Sequence, residues 1–186
     1  MISRIDKAFG AIKRADFLPD ESKARADIDA PISIGFGQTN SQPSTVQMML
    51  EWLDPGRGEK VLDVGSGSGW TSALLAYLVG SSGRVYAVEK VPELVKFGTA
   101  NCRRAGIRNI QFFGAVSAIG LPDFAPYNRI LVSAVANELP PELPAQLVAG
   151  GRLVIPIKNS VYVIDKNSDG SLESTEYPGF IFVPLI

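Results

Sequence analysis

The stretch Lys60–Trp70, K-V-L-D-V-G-S-G-S-G-W, limits what this chain can fold into more than any other. Val61, Leu62 and Val64 form a short branched apolar run, the pattern of a strand covered on both faces, and the run breaks into three glycines at alternate positions. Such a junction leads a strand through a sharp turn into a helix, and Gly65, Gly67 and Gly69 let the backbone turn tightly and come close to a ligand. The free N–H groups at the start of that helix suit a carboxylate or phosphate. A dinucleotide site of the G-x-G-x-x-G/A type requires a small residue where this chain has Trp70, so the spacing points elsewhere.

Elements alternate after the turn. Ser72–Val79 reads as a helix, Arg84–Glu89 as a strand, and Pro92–Ala105 as a helix with Pro92 in its first turn and Gly106 as its stop. Ile110–Phe113, Arg129–Val132 and Arg152–Ile157 read as further strands, with a short helix over Pro141–Val148, and Val161–Asp165 and Phe180–Val183 follow. This order implies an α/β fold, a doubly wound, mostly parallel sheet with helices on both faces and a ligand crevice at the carboxyl ends of the strands. Asp63, Glu89 and Ala115 fall at those ends. Before the turn, Ile2, Ile5, Phe9 and Ile12 make the apolar stripe of a helix ending near Arg14. Residues 15–43 show little periodicity, and Ser44 opens a helix with Gln47 at capping-box spacing and a stripe of Val46, Met49, Leu50 and Leu53. We expect a single domain over 1–186, with N-terminal helices and a loop in 1–58 and the sheet core in 59–186.

Composition narrows the chemistry. The chain has 186 residues, 46% hydrophobic, enough for one sizeable core. Eighteen basic residues stand against nineteen acidic ones with no long single-sign block, so no footprint for nucleic acid or an anionic membrane shows. An N-terminus mixing Arg4, Asp6 and Lys7 among apolar residues is unlike a signal peptide, and a cytoplasmic protein is expected. Cys102 stands alone, which excludes internal disulfides and cysteine-rich zinc sites. The chain has no histidine, which excludes Ser–His–Asp and Cys–His catalysis, H-E-x-x-H zinc chemistry and any imidazole base. Asp165 to Gly170 with Glu176 fits a calcium-loop pattern, but Val161–Ile164 reads as a strand and Pro178-Gly179 stops any helix, so an ordinary hairpin turn is expected.

With Asp63 before the glycines and Glu89 ending the next strand, the G-x-G-x-G turn resembles the S-adenosylmethionine site of class I methyltransferases. A narrower likeness lies upstream. Pro31–Pro43 reads P-I-S-I-G-F-G-Q-T-N-S-Q-P and is similar to the P-L-P-I-G-x-G-Q-T-I-S-Q-P segment of the protein-L-isoaspartate (D-aspartate) O-methyltransferases. Ala15–Pro19, 61–69, 125–134, 139–147, 150–157 and 182–185 follow that family's pattern as well. The resemblance implies a repair enzyme that methylates the free carboxylate of isoaspartyl residues in damaged peptides and proteins, with S-adenosylmethionine as cofactor, acting as a monomer. It implies cofactor contacts from Gln38, Thr39, Asn40, Ser41, Asp63, Gly65, Ser66, Gly67, Ser68, Gly69, Glu89, Lys90, Ala115 and Val116. It also implies substrate contacts from Gln38, Thr39, Ser41 and Val135, and a catalytic Ser41.

The chain departs from that pattern in places. Gly114-Ala115-Val116 stands where the family carries Gly-Asp-Gly, so no carboxylate accepts from the adenine amine, a loss of about tenfold in affinity at most. Asn40 replaces an apolar residue and puts an amide that needs partners in the reactive region. Asp27-Ile28-Asp29-Ala30-Pro31 lacks a family-like tyrosine. These departures leave open a methyltransferase acting on a small molecule or RNA, or a cofactor-binding module with little activity. Glu89 is expected to accept from both ribose hydroxyls. Ser41 is expected either to orient the substrate carboxylate or to help cap the helix that follows.

Overall fold

The computed structural model describes residues 2–185. Nine strands and five helices follow in chain order, with α1 at Arg4–Ala11, β1 at Ile32–Gly35, β2 at Gln38–Asn40 and α2 at Pro43–Leu53. Next come β3 at Lys60–Val64, α3 at Trp70–Val79, β4 at Arg84–Glu89, α4 at Pro92–Arg104 and β5 at Ile110–Gly114. The chain closes with β6 at Tyr127–Val132, α5 at Glu142–Ala145, β7 at Leu147–Ile157, β8 at Ser160–Lys166 and β9 at Leu172–Pro178. Seven strands form one sheet in the order β5-β4-β3-β6-β7-β8-β9, and β1 and β2 form a separate hairpin. Pairs from β5 through β7 are parallel, whereas β7–β8 and β8–β9 are antiparallel.

Successive residues of a strand point to opposite faces, so a strand covered on both sides must be apolar throughout. In β3, Val61 joins the cluster built from α1, α2 and α3, while Leu62 and Val64 join the cluster with Ile130, Val132 and Leu153. Asp63 shares the face of Val61 and sits under α3. The central strand β3 is thereby fixed between β4 and β6, and its carboxyl end opens into the glycine turn.

Several boundaries differ from the sequence reading. The irregular stretch holds two 3-10 turns, Arg14–Phe17 and Asp20–Arg25, before the β1–β2 hairpin, and Arg14 belongs to the first of these rather than to α1. Helix α2 starts at Pro43 with Gln42 as its cap residue, and no capping box forms at Ser44. Instead the Asp29 carboxylate accepts the Ser44 N–H at 2.9 Å and the Gln42 side-chain amide at 3.0 Å, capping the helix from across the loop. Phe180–Val183 is not a strand. The sheet edge is β9, whose residues are mostly exposed and polar, so the two-sided apolar signal of a buried strand is missing there.

The calcium-like motif spans the β8–β9 hairpin. Asp165 pairs with Arg152 at 2.7 and 3.0 Å, Glu176 accepts from Ser160 Oγ at 2.7 Å, and Asp169 accepts from the Ser171 N–H at 2.9 Å within the turn. Its oxygens therefore serve strand pairing and the turn, and among the described residues no group of three or more His, Cys, Asp or Glu is placed to hold a metal ion. No described helix is long and apolar enough to cross a membrane.

Candidate functional site

The main cavity, main in the number of expected site residues it gathers and not in volume, lies at the carboxyl ends of β3, β4 and β6, roofed by the β1–β2 hairpin and the C-terminal tail. Gln38, Thr39, Asn40, Ser41, Gly65, Ser66, Gly67, Ser68, Glu89, Lys90 and Ala115 all line it, residues that the sequence holds in four separate stretches. The turn is held in shape by Glu89, which is 6% exposed: one carboxylate oxygen accepts the Gly67 N–H at 2.8 Å and the other accepts the Val91 N–H at 2.9 Å. A carboxylate has about four acceptor positions, so Glu89 retains capacity for ligand hydroxyls while it braces the turn. Gly69 has φ +85, and a Cβ there would lie 3.1 Å from both Gly98 Cα and Phe112 Cζ. Its role is the close packing of the turn on α4 and β5, and it does not line the cavity.

Three other residues expected at the site lie off the main cavity. Asp63 is fully buried beneath the turn, and its Oδ2 accepts from the Ser72 hydroxyl while Oδ1 has no partner among the described residues. Burial pushes its carboxyl up to about 7; the Glu89 charge adds to this and the Ser72 hydrogen bond opposes it. Val116 is exposed and lines a second cavity of about 460 Å³, which adjoins the first through Val64, Val88, Ala115 and Leu185. Val135 acts through its backbone: its N–H donates to Val183 O and its carbonyl accepts from the Leu185 N–H, both at 2.8 Å, strapping the tail across the site.

A further cavity, of about 230 Å³, is lined by Pro31, Thr39, Ser41, Gln42, Thr45, Ser133, Ile181, Phe182 and Val183. Thr39, Ser41, Ser133 and Val183 face both this groove and the main cavity, so Ser41 stands at the neck between them. Ser41 does not cap α2, since that helix takes its cap from Asp29.

The largest omission of the sequence reading is Arg14. Only 6% exposed, its guanidinium turns five N–H groups to six oxygens, the carbonyls of Ala26, Ile28, Ala30, Asn40 and Ser41 and Asn40 Oδ1, with Nη2 shared among three of them. Its Cζ also lies 5.4 Å from the centre of the Trp70 ring. Burial draws the guanidinium below its ordinary value, and the Asp29 charge works the other way. Arg14 thus gathers the loop from Ala26 to Ser41, which has little regular structure to satisfy its carbonyls. The only sequence signal near it was Ala15–Pro19, the stretch just after it that follows the family's pattern. The amide of Asn40, expected to need partners, is satisfied: Oδ1 accepts from Arg14 and Nδ2 donates to Ser68 Oγ at 3.0 Å.

Comparison with known proteins places the chain. The family model "Protein-L-isoaspartate(D-aspartate) O-methyltransferase" matches residues 2–186. A protein-L-isoaspartate O-methyltransferase of Aeropyrum pernix is 45% identical over 98% of this chain and 72% of its own length. One from Methanothrix thermoacetophila is 43% identical over 98% of this chain and 88% of its own. A solved protein-L-isoaspartate O-methyltransferase superposes with a TM-score of 0.89 at 28% identity, covering all of this chain, which spans 62% of that structure's length. A Plasmodium falciparum structure assigned to the same description, in complex with S-adenosyl-L-homocysteine, gives 0.88 at 25% identity over 99% of this chain and 90% of its own.

Proposed function

This chain belongs to the protein-L-isoaspartate (D-aspartate) O-methyltransferase family, and from that premise we propose that it transfers a methyl group from S-adenosylmethionine to the free carboxylate of isoaspartyl residues in damaged peptides and proteins. The cofactor would lie along the main cavity, with its ribose at Glu89, its amino-acid part at the turn from Gly65 to Ser68, and its base past Ala115 toward the second cavity. The buried hydroxyl of Ser66, without a partner among the described residues, and the spare acceptor capacity of Glu89 fit a polar nucleoside of that kind. What the cofactor supplies is an electrophilic methyl carbon on a sulfonium.

The protein's own contribution is geometric. A carboxylic acid of pKa ~4 is already ionised at neutral pH, so the attacking oxygen needs no general base, in keeping with a chain that has no histidine. A carboxylate oxygen forms the new bond to the methyl carbon as the carbon–sulfur bond breaks, and its pair stays with sulfur. Catalysis then rests on holding oxygen and carbon in near-attack geometry and keeping water out. Ser41 at the neck can donate to one carboxylate oxygen and aim the other, with Thr39 beside it and Gln38 on the same strand. In this reading residues 1–58 form the substrate side and 59–186 the cofactor side. The observation that carries it is the placement of Ser41 and Thr39 on both cavities at once. Incubation with radiolabelled S-adenosylmethionine and an isoaspartyl peptide, its normal-aspartyl counterpart or bulk RNA tests the proposal. Base-labile label in the isoaspartyl peptide alone is expected. Label confined to RNA, or in no substrate, refutes it.

A further inference from the structure

The hairpin that carries Ser41 is joined to the glycine turn by a buried chain of hydrogen bonds whose direction is set from one end. A guanidinium has donors and no acceptor, so the Asn40 atom facing Arg14 Nε at 2.7 Å must be its carbonyl oxygen. The amide nitrogen is thereby turned to Ser68 Oγ at 3.0 Å, and there the hydroxyl is the acceptor. Asn40 is 4% exposed and Ser68 2%. Asn101 Nδ2 donates to the Ser68 carbonyl at 2.9 Å, which fixes the serine backbone as well. A free serine hydroxyl can turn to donate or accept, but this one already accepts from Asn40, and its own proton remains to be given. Ser68 lines the main cavity, as does Ser66, whose buried hydroxyl has no partner among the described residues. Both lie on the turn that leads into the ten-residue helix α3, whose first N–H groups favour an anion.

We infer that Arg14 and Asn40 are positioning residues that hold the Ser68 hydroxyl as a one-way donor into the cavity, where it receives the carboxylate of the cofactor's amino-acid part. This rests on the S-adenosylmethionine reading of the site. The chain starts at a cation whose hydrogen bonds go only to carbonyl and amide oxygens, with no carboxylate in contact, so its charge polarises the amide and the hydroxyl in the same sense. The donors run in one sense, Arg14 Nε–H to Asn40 and Asn40 Nδ2–H to Ser68, which leaves the Ser68 Oγ–H as the donor to be given to the ligand. An apolar residue at position 40 would leave Ser68 free to rotate and would leave Arg14 Nε without an acceptor.

Two nucleosides separate this role from general damage to the pocket. S-adenosylhomocysteine carries the amino-acid part, whereas 5′-methylthioadenosine has the same nucleoside and sulfur without it. Calorimetric titration of Ser68→Ala should show S-adenosylhomocysteine bound about tenfold more weakly or worse, with 5′-methylthioadenosine within about twofold of wild type. In Asn40→Asp the new carboxylate keeps the Arg14 contact as an ion pair and accepts the Ser68 proton, turning the donor away from the ligand. That variant should melt no lower than wild type and yet show the same selective loss. If it does not fold, Ser68→Ala decides alone. Unchanged S-adenosylhomocysteine affinity in Ser68→Ala overturns the inference, as does an equal loss for both nucleosides. A wild-type protein that binds neither compound refutes the cofactor reading itself.

Discussion

Asp63 should make this protein lose stability as the pH rises through neutrality, and Asp63→Asn should abolish that loss. Its side chain is fully buried, one oxygen bonded to Ser72 and the other without a partner among the described residues, and burial pushes the carboxyl up to about 7. In the unfolded chain the same group titrates near ~3.9. The folded state therefore holds this proton more tightly, so the contribution is fully present below about pH 4 and is lost as pH climbs toward and past about 7. Between those two values the total is about 4 kcal/mol, at about 1.4 kcal/mol for each tenfold change in proton affinity. Roughly 1.5 kcal/mol of it is already lost at about pH 5, which leaves about 2.5 kcal/mol between about pH 5 and about pH 8. Asparagine matches the shape of the neutral acid, can still accept from Ser72, and does not titrate in this range. Urea denaturation of both proteins at the two pH values checks this, because groups common to both cancel in the difference. Wild type should fall relative to Asp63→Asn by about 2.5 kcal/mol on going from the lower pH to the higher. A constant difference would mean that Asp63 is ionised under the turn throughout, and the burial argument would be wrong.

Three further outcomes are expected. Ser41→Ala should melt like wild type, because Asp29 caps α2, and should keep its affinity for S-adenosylhomocysteine while turnover of isoaspartyl peptide drops about a hundredfold; undiminished turnover removes Ser41 from the mechanism. In Glu89→Gln one of the two N–H groups now accepted, Gly67 or Val91, would face an amide donor, so stability should fall by about 1–3 kcal/mol and S-adenosylhomocysteine should bind about tenfold more weakly. Denaturation and calorimetry on that one variant test both roles, and no change in either would leave Glu89 without one. Millimolar calcium should leave the melting temperature unchanged, since Asp165 and Glu176 are committed to Arg152 and Ser160; a rise of several degrees that disappears in Asp165→Ala would contradict this.

The sheet core was legible because its signals are local. Branched runs such as Val61 to Val64 and Arg84 to Glu89 need burial on both faces, and the glycines that follow the first run mark where the strand must turn. Boundaries strayed where a distant group supplied what the local pattern lacked. The Asp29 carboxylate, fifteen residues before Ser44, caps α2 and lets it begin at Pro43. Edge strand β9 needs no apolar face because it has one neighbour and solvent on its other side, so Leu172–Pro178 carried no strand signal and the apolar Phe180–Val183 did.

The site divides along the same line. Residues on the turn and at the ends of strands were legible because the topology of a parallel sheet brings those ends together whatever the loops do. Arg14 was not, because its partners are five backbone carbonyls and one amide, and a carbonyl leaves no mark in a sequence. Asn40 was half legible: its side chain announces a need for both a donor and an acceptor, but Arg14 lies 26 residues before it and Ser68 28 residues after. Only the closing of the hairpin over the glycine turn brings the two within reach. A polar residue at an otherwise apolar position is therefore a pointer to tertiary partners, and the chemistry of those partners, here a cation at one end and a hydroxyl at the other, decides which way it points its hydrogen bonds.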